Sequence, residues 1–219
     1  MEYPKKHMAV WLLVFSAFLG WSGINPHDHF TWILEVAPAL IALIILAVTY
    51  RRFRLTKLIY LLILVHSIVL MIGGHYTYAK VPFFDWISDA FDLSRNNYDK
   101  VGHFFQGFVP AIVSREILLR RSPLKRGKWL FFIVVSVCLA CSAMYELIEW
   151  WVALATGEAA EAFLGTQGYM WDTQSDMALA LLGAICSLFI FTRYHDAAMM
   201  TLVESEQKDN RRQSSRIKA

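Results

Sequence analysis

Apolar runs long enough to cross a lipid bilayer fill most of this chain of 219 residues. A spanning helix needs about 20 mostly apolar residues, because the hydrocarbon core of a bilayer is about 30 Å thick. The chain is 57% hydrophobic and 18% charged, which leaves too little polar surface for a soluble domain. The sequence therefore predicts an all-α fold, a polytopic membrane bundle of six transmembrane helices. The predicted spans are residues 8–24, 30–50, 58–75, 97–119, 129–151 and 172–194.

The basic residues predict which loops face the cytoplasm. Short loops rich in Lys and Arg stay on the cytoplasmic side of a membrane. Six spans place every basic cluster on that side, whereas five or seven would not, so both termini are expected in the cytoplasm. We expect one transmembrane domain over residues 1–200 and a polar, largely disordered cytoplasmic tail over 201–219. The four clusters are Lys5 and Lys6; Arg51, Arg52, Arg54 and Lys57; Arg120, Arg121, Lys125, Arg126 and Lys128; and Arg211, Arg212, Arg216 and Lys218.

Composition also excludes some classes of protein. The formal net charge of +3 comes from these short loop clusters, so it indicates membrane topology and not a nucleic-acid surface. The expected partners are membrane lipids. Cys138, Cys141 and Cys186 lie inside apolar runs, which argues against a disulfide framework. The segment 83–92 mixes aromatic and acidic residues and is typical of a short helix on the membrane surface.

Ionisable residues inside the predicted spans are concentrated at the outer ends of the last four. Each such residue costs roughly 2.5–3.5 kcal/mol on insertion scales unless it has partners. Asp99, His103 and Gln106 are spaced to share one helix face. Because the helices alternate in direction, residues from different spans reach a similar depth, and we predict one shared polar site. Its candidate members are His75, Asp99, His103, Glu146, Glu149, Asp172 and Asp176.

These residue types allow several chemistries. A divalent metal is possible, with His103, Glu146 and Asp176 as candidate ligands, since imidazole and carboxylate are both common metal ligands. Paired carboxylates beside a histidine also suit acid–base catalysis or a proton relay. A structural network is the plainer alternative, in which Asp99 and Asp172 cap their helices. The sequence leaves the identity of any cofactor open.

Four segments together resemble the YjdF family of bacterial inner-membrane proteins. The resemblance covers nearly the whole chain and implies a location in the inner membrane but no activity. Helices four to six are also loosely similar to VanZ-like membrane proteins, through Asp99, Lys100, His103, Glu146 and Asp176. Those proteins are associated with tolerance to a glycopeptide antibiotic. The segments that resemble the YjdF family are residues 73–78, 98–104, 145–150 and 165–177.

Three kinds of function fit this pattern. The first is a small membrane enzyme or lipid-handling protein whose site opens to the outer leaflet, with His103 as acid–base group or metal ligand. The second is a cation- or proton-coupled transporter, and the third is an accessory protein with a purely structural polar network. A continuous polar path from the cluster through His66 to Arg115 would favour transport, whereas a dry apolar layer would count against it.

Overall fold

The computed structural model describes residues 5–157, 161–164 and 166–217, and within these ranges it is entirely helical, without strands. The prediction of an all-α fold is confirmed. Each of the six predicted spans overlaps one helix, and most of the predicted ends lie close to a helix end. The helices are α1 (Lys5–Gly23), α2 (His29–Thr49), α3 (Lys57–Tyr76), α4 (Pro82–Ala90), α5 (Tyr98–Arg121), α6 (Lys128–Thr156), α7 (Glu161–Leu164) and α8 (Asp172–Ile217).

Among the residues that the structure describes, four helices are long and apolar enough to cross a membrane. They are α2, α3, α6 and the segment Asp172–Ser205 of α8. The helix α5 is not among them, although its 24 residues give it a length of about 36 Å. Four of its charged or titratable residues, Asp99, His103, Arg115 and Glu116, are buried inside the protein. The low mean hydropathy of α5 therefore reflects an interior position among other helices.

The central pair of helices is α5 and α8, which approach each other more closely than side chains normally allow. A Cβ atom added to Gly107 would lie 1.7 Å from the backbone oxygen of Ala180, and one added to Gly183 would lie 2.1 Å from that of Phe104. Small residues at such crossings let backbones pack directly against each other, which is a common mode of association in membrane bundles.

The other helices surround this pair. The helix α6 packs on both α5 and α8, α3 packs on α5, and α1 and α2 pack on α3. The indole of Trp11 in α1 donates to the backbone oxygen of Tyr60 in α3 at 2.8 Å. Asp28 caps α2 by accepting from the backbone N–H of Thr31 at 2.7 Å, and this hydrogen bond lowers the pKa of the Asp28 carboxyl.

The short helix expected between the third and fourth spans is present as α4. Phe83 and Trp86 are each 62% exposed, and their rings stack at 5.8 Å. This exposed aromatic face suits insertion among lipid headgroups, as the sequence predicts.

The tail differs from the prediction of disorder, because α8 continues as a helix as far as Ile217. The physical reason is local. After Gly183 this segment contains neither Gly nor Pro, and its Glu, Gln, Lys and Arg residues favour a helix even where they bury no apolar surface.

We predict that Gly107→Ala destabilises the protein by about 1–3 kcal/mol, because the added methyl overlaps the backbone of α8. Gly20→Ala is the matched control, since a Cβ atom there meets nothing within 4 Å and alanine is the better helix former. Thermal unfolding of the two purified variants in detergent measures the difference. Equal unfolding temperatures would contradict the close approach of α5 and α8.

Candidate functional site

Buried carboxylates from four helices converge at one end of the bundle, where α5 and α8 begin and α3 and α6 end. We call this the site end. Each of these side chains belongs to a residue that is at most 8% exposed. We call the set the carboxylate cluster: Glu35 of α2, Asp99 of α5, Glu146 and Glu149 of α6, and Asp172 and Asp176 of α8.

Two cations hold part of this cluster together. Arg95, which precedes α5, lies 3.1 Å from Asp99 and 2.7 Å from Asp172. Lys100 Nζ lies 2.7 Å from Asp172 and 2.6 Å from Asp176, with Asp99 Oδ2 at 3.3 Å. The start of α5 is thereby tied to the start of α8 by buried, charge-assisted hydrogen bonds.

His103 occupies the centre of the cluster, one turn along α5 from Asp99. Its Nε2 lies 3.2 Å from Asp99 Oδ1 and 3.8 Å from Asp176 Oδ2. Its Nδ1 lies 3.2 Å from Gln106 Oε1 and 3.7 Å from Glu146 Oε1. Both ring nitrogens thus face oxygen atoms, which fits an imidazolium that donates from each nitrogen or an imidazole with a cation at Nε2. The predicted shared face of Asp99, His103 and Gln106 is present.

In Asp99 and Asp176, the two carboxylate oxygens contact different partners. Lys100 contacts Asp99 Oδ2 and Asp176 Oδ1, whereas the other oxygen of each faces His103 Nε2. One ligand atom from each of Asp99, His103 and Asp176 lies within 4.8 Å of the others. Three ligands about 2.0–2.2 Å from one metal ion have separations in this range. Lys100 therefore orients the two aspartates and leaves one oxygen of each, together with His103 Nε2, close enough to bind one metal ion.

A cavity of about 70 Å³ adjoins the cluster. Its volume has room for several water molecules, since one needs roughly 10–15 Å³ on the same measure. His66 of α3 contributes to the wall, and its Nε2 has no hydrogen-bond partner among the described residues. The hydroxyl of Tyr145 donates to Glu35 at 3.3 Å. The other ionisable residues that line the cavity are Tyr78, Asp99, His103 and Glu149.

Tyr78 reaches the cavity through an unusual turn at the end of α3. Thr77 and Tyr78 both have positive φ, 58° and 53°, which costs non-glycine residues energy and is concentrated at functional sites. The Tyr78 N–H donates to the backbone oxygen of Gly73 at 2.8 Å. A Cβ atom on Gly73 or Gly102 would collide with the Tyr78 ring, at 2.2 and 2.8 Å, so these two glycines form its slot.

The cluster contains more acidic than basic groups. Its six carboxyl groups face two permanent cations, Arg95 and Lys100, so full ionisation would leave four uncompensated negative charges, or three if His103 were protonated. Glu146 Oε1 is buried without a hydrogen-bond partner among the described residues. An uncompensated buried ion costs several kcal/mol, so the cluster must take up protons or a cation.

The loop before α8 covers the cations of this cluster. Arg95 donates to the backbone oxygen of Thr166 at 3.0 Å, and Gln167 exchanges two hydrogen bonds with the backbone of Asn96 at 2.8 and 3.1 Å. The Tyr169 ring lies 5.6 Å from the guanidinium of Arg95 and 5.7 Å from Lys100 Nζ. This loop and the start of α5 therefore form one packed unit.

His75 is the one candidate that the structure does not bring to the others. Its Nδ1 hydrogen-bonds the backbone oxygen of Ser22 at 3.0 Å, and its ring packs on Trp21 at 4.6 Å. The end of α3 turns this side chain toward α1 and away from α5. The position of His75 in the sequence places it at the site end of α3. The side of α3 on which it lies depends on how α1 packs against α3, which the sequence does not show.

A second buried polar network lies at the opposite end, which we call the arginine end. Arg115 Nη1 donates to His195 Nδ1 at 2.8 Å. Because arginine only donates, His195 Nδ1 must accept, so the ring is neutral with its proton on Nε2. That nitrogen donates to Glu116 at 2.9 Å. Arg120 and the Thr56 N–H also donate to Glu116, at 2.7 and 3.2 Å. Both carboxylate oxygens of Glu116 and both ring nitrogens of His195 thus have partners.

An apolar layer separates the two networks. It contains fully or nearly fully buried residues from four helices that pack in one cluster. Among the described residues, no buried charged side chain lies in this layer, although the buried hydroxyl of Ser187 in α8 falls at the same level. The residues are Ile59 and Leu62 of α3, Val109 and Ile112 of α5, Val134 and Cys138 of α6, and Ala184 and Leu188 of α8.

Sequence reasoning missed several residues of both networks. Arg95 lies in a loop, and nothing in the sequence showed that it folds back to Asp99, although the spacing of four residues allows it. Tyr145 directly precedes a candidate, Glu146, which was the available signal. His195 falls one residue beyond the last predicted span, so it was not among the candidate residues.

Comparison with known proteins agrees with this architecture. Residues 7–197 match the model of a family described as "Predicted membrane protein (DUF2238)". The chain belongs to this family. It is also 54% identical over 183 residues to the inner membrane protein YjdF of Escherichia coli (strain K12), covering 84% of this chain and 88% of that protein. No solved structure matches. With its apolar helices, the chain is an integral, multi-pass inner-membrane protein, as the resemblance implies.

We predict opposite effects on stability for one substitution in each network. Glu116→Gln removes a fully paired carboxylate and should cost about 1–3 kcal/mol. Glu149→Gln removes one of the surplus negative charges and should leave the unfolding temperature unchanged or raise it, because residues that serve function are often not optimal for stability. Thermal unfolding of both variants in the same detergent measures this difference. A large loss of stability in Glu149→Gln would indicate a structural network instead.

Proposed function

We propose that the protein is a membrane-embedded enzyme that acts on a lipid or another envelope substrate at the outer face of the inner membrane. The carboxylate cluster and its cavity are the proposed active site. The observation that supports this most is the excess of buried carboxyl groups over permanent cations around a cavity that has room for water. A purely structural network gains nothing from such a surplus, and the paired network at the arginine end shows what this fold does when a network is structural.

The proposed site binds a divalent cation between Asp99, His103 and Asp176. A cation there offsets the surplus charge, and Lys100 and Arg95 orient its ligands from behind. A metal ion held there would polarise an ester or phosphoester oxygen or lower the pKa of a bound water. Glu146, whose Oε1 lies 3.7 Å from His103 Nδ1, is the proposed general base of the site. Hydrolysis is the reaction class that this set of groups favours.

A coupled transporter is the second candidate, and the apolar layer below His66 argues against it. A transported cation would have to cross a part of the bundle where the described residues offer it no buried charged side chain. A polar site at one end of the bundle suits an enzyme better than a permease. The scaffold alternative is opposed by Glu146 Oε1, which is buried without a hydrogen bond among the described residues.

We also propose six spans with both termini in the cytoplasm. The helix α1 lies against α3 across the bundle, and α5 extends from the site end to the arginine end beside α8. Both thus have the positions of spanning helices. The arginine end contains the basic loops between α2 and α3 and between α5 and α6, which supports a cytoplasmic position for that end and an outer position for the site end.

This topology predicts that cysteines introduced at opposite ends differ in access to a membrane-impermeant maleimide. Trp86→Cys at the site end should react in intact spheroplasts, and Lys125→Cys should react only after lysis. A background without the native Cys138, Cys141 and Cys186 serves for both variants. The reverse pattern would place the cluster on the cytoplasmic face.

The proposed activity predicts that His103→Gln fails to replace the wild-type protein in a deletion strain. Lipids and envelope precursors of the strain are profiled by mass spectrometry with each version restored. The matched control is His75→Gln, which lies at the same end but outside the cluster and should restore the wild-type profile. Restoration by His103→Gln, or a deletion strain without any altered profile, would count against an enzyme.

A further inference from the structure

At the arginine end, a groove of about 650 Å³ opens between α6 and α8. Its wall is apolar and faces outward: Phe131 is 39%, Phe189 78% and Ile190 62% exposed. The rings of Phe131 and Phe189 meet edge to face at 6.1 Å. Since both helices are candidate membrane spans, this wall is in contact with lipid.

The rim of the groove is basic. Arg126 is 55% exposed and contacts Asp196 at 3.1 Å through Nε, and its terminal nitrogens have no hydrogen-bond partner among the described residues. Asp196 is already neutralised by Arg115 at 2.7 Å. Arg193 also lines the groove, is exposed, and has no ion-pair partner in the described part of the chain. Two guanidinium groups are therefore available above an apolar wall.

We infer that this groove binds an anionic phospholipid of the adjacent leaflet, with its phosphate between Arg126 and Arg193 and its acyl chains along Phe131, Phe189 and Ile190. Guanidinium groups hold phosphates through paired, charge-assisted hydrogen bonds. Basic pockets between spanning helices on the cytoplasmic side are typical sites for anionic headgroups. The groove thus combines a basic rim with an apolar wall, and a phospholipid has a matching phosphate next to its acyl chains.

The groove is separate from the carboxylate cluster. It borders the apolar layer at Leu188 on the side of the arginine end, shares no lining residue with the cavity of the proposed active site, and involves a different class of ligand contact. The fully paired network of Arg115, Glu116 and His195 lies behind it and fixes α8 against α5, so the groove has a rigid back wall. Binding there does not depend on whether the cluster is catalytic.

The test uses the full chain, delipidated in a zwitterionic detergent and titrated with phosphatidylglycerol or phosphatidylcholine of identical acyl chains. Bound lipid is counted by native mass spectrometry. We expect a preference for phosphatidylglycerol that weakens roughly tenfold for each of Arg126→Gln and Arg193→Gln, which corresponds to the loss of one charge-assisted contact. Arg193→Gln breaks no contact within the described protein, so its fold should be intact by thermal unfolding.

Lys125→Gln is the matched control, because it removes the same charge from an exposed residue next to Arg126 but outside the groove. It should leave the lipid preference unchanged. Three results would overturn the inference: equal affinity for both lipids, an equal loss in the Lys125→Gln control, or displacement of phosphatidylglycerol by soluble glycerophosphate at matched concentration. The last result would indicate a site for free anions instead of a lipid.

Discussion

The close approach of α5 and α8 at Gly107 and Gly183 is the constraint on which the rest of the structure depends. It aligns the two helices that contribute most of the buried charge. At one end this brings Asp99 and His103 to Asp176, and at the other it brings Arg115 to His195. A larger residue at the crossing would separate both networks together, because each consists of side chains too short to follow a shifted backbone.

The two networks differ in how far their buried charged groups are paired. Buried ions are tolerated when their hydrogen-bonding capacity is filled and their charges are matched. Glu116 and His195 meet this condition, and their network anchors α5, α8 and the turn before α3. The carboxylate cluster does not meet it, since Glu146 Oε1 has no hydrogen bond among the described residues and six acids face two permanent cations. Such incomplete pairing is common at functional sites, and it motivates the proposed active site.

Much of the fold could be predicted from the sequence because a bilayer imposes simple rules. Apolar length fixed the positions of α2, α3 and α6 to within a few residues, and the mixed aromatic and acidic residues of 83–92 marked α4. The common depth of Asp99, Glu149 and Asp176 followed from alternating helix directions. The face that α3 turns inward could not be predicted, because most residues on every face of this helix are apolar. His75 was therefore placed with the cluster, and Tyr78, which enters it through a strained turn, was overlooked.

The long-range partners were also beyond sequence reasoning. Arg95 reaches Asp172 across 77 positions of the chain, and Arg115 reaches His195 across 80; such pairs depend on the crossing of α5 and α8. Extension of α8 through its polar tail shows the opposite case, where local helix propensity outweighs the composition of a disordered segment. Local sequence rules were sufficient to predict the helices, whereas the partners within each polar network depend on how the helices pack.

The most direct test of the proposed cation site is elemental analysis of the purified protein and of two matched variants, Asp176→Asn and Asp196→Asn. Both replace an aspartate of α8 that is paired with a cation, but only Asp176 faces His103. The account predicts about one equivalent of a divalent metal in the wild type and in Asp196→Asn, and a loss of most of it in Asp176→Asn. Equal metal content in the two variants, or a metal-free wild type that restores the deletion strain, would contradict it.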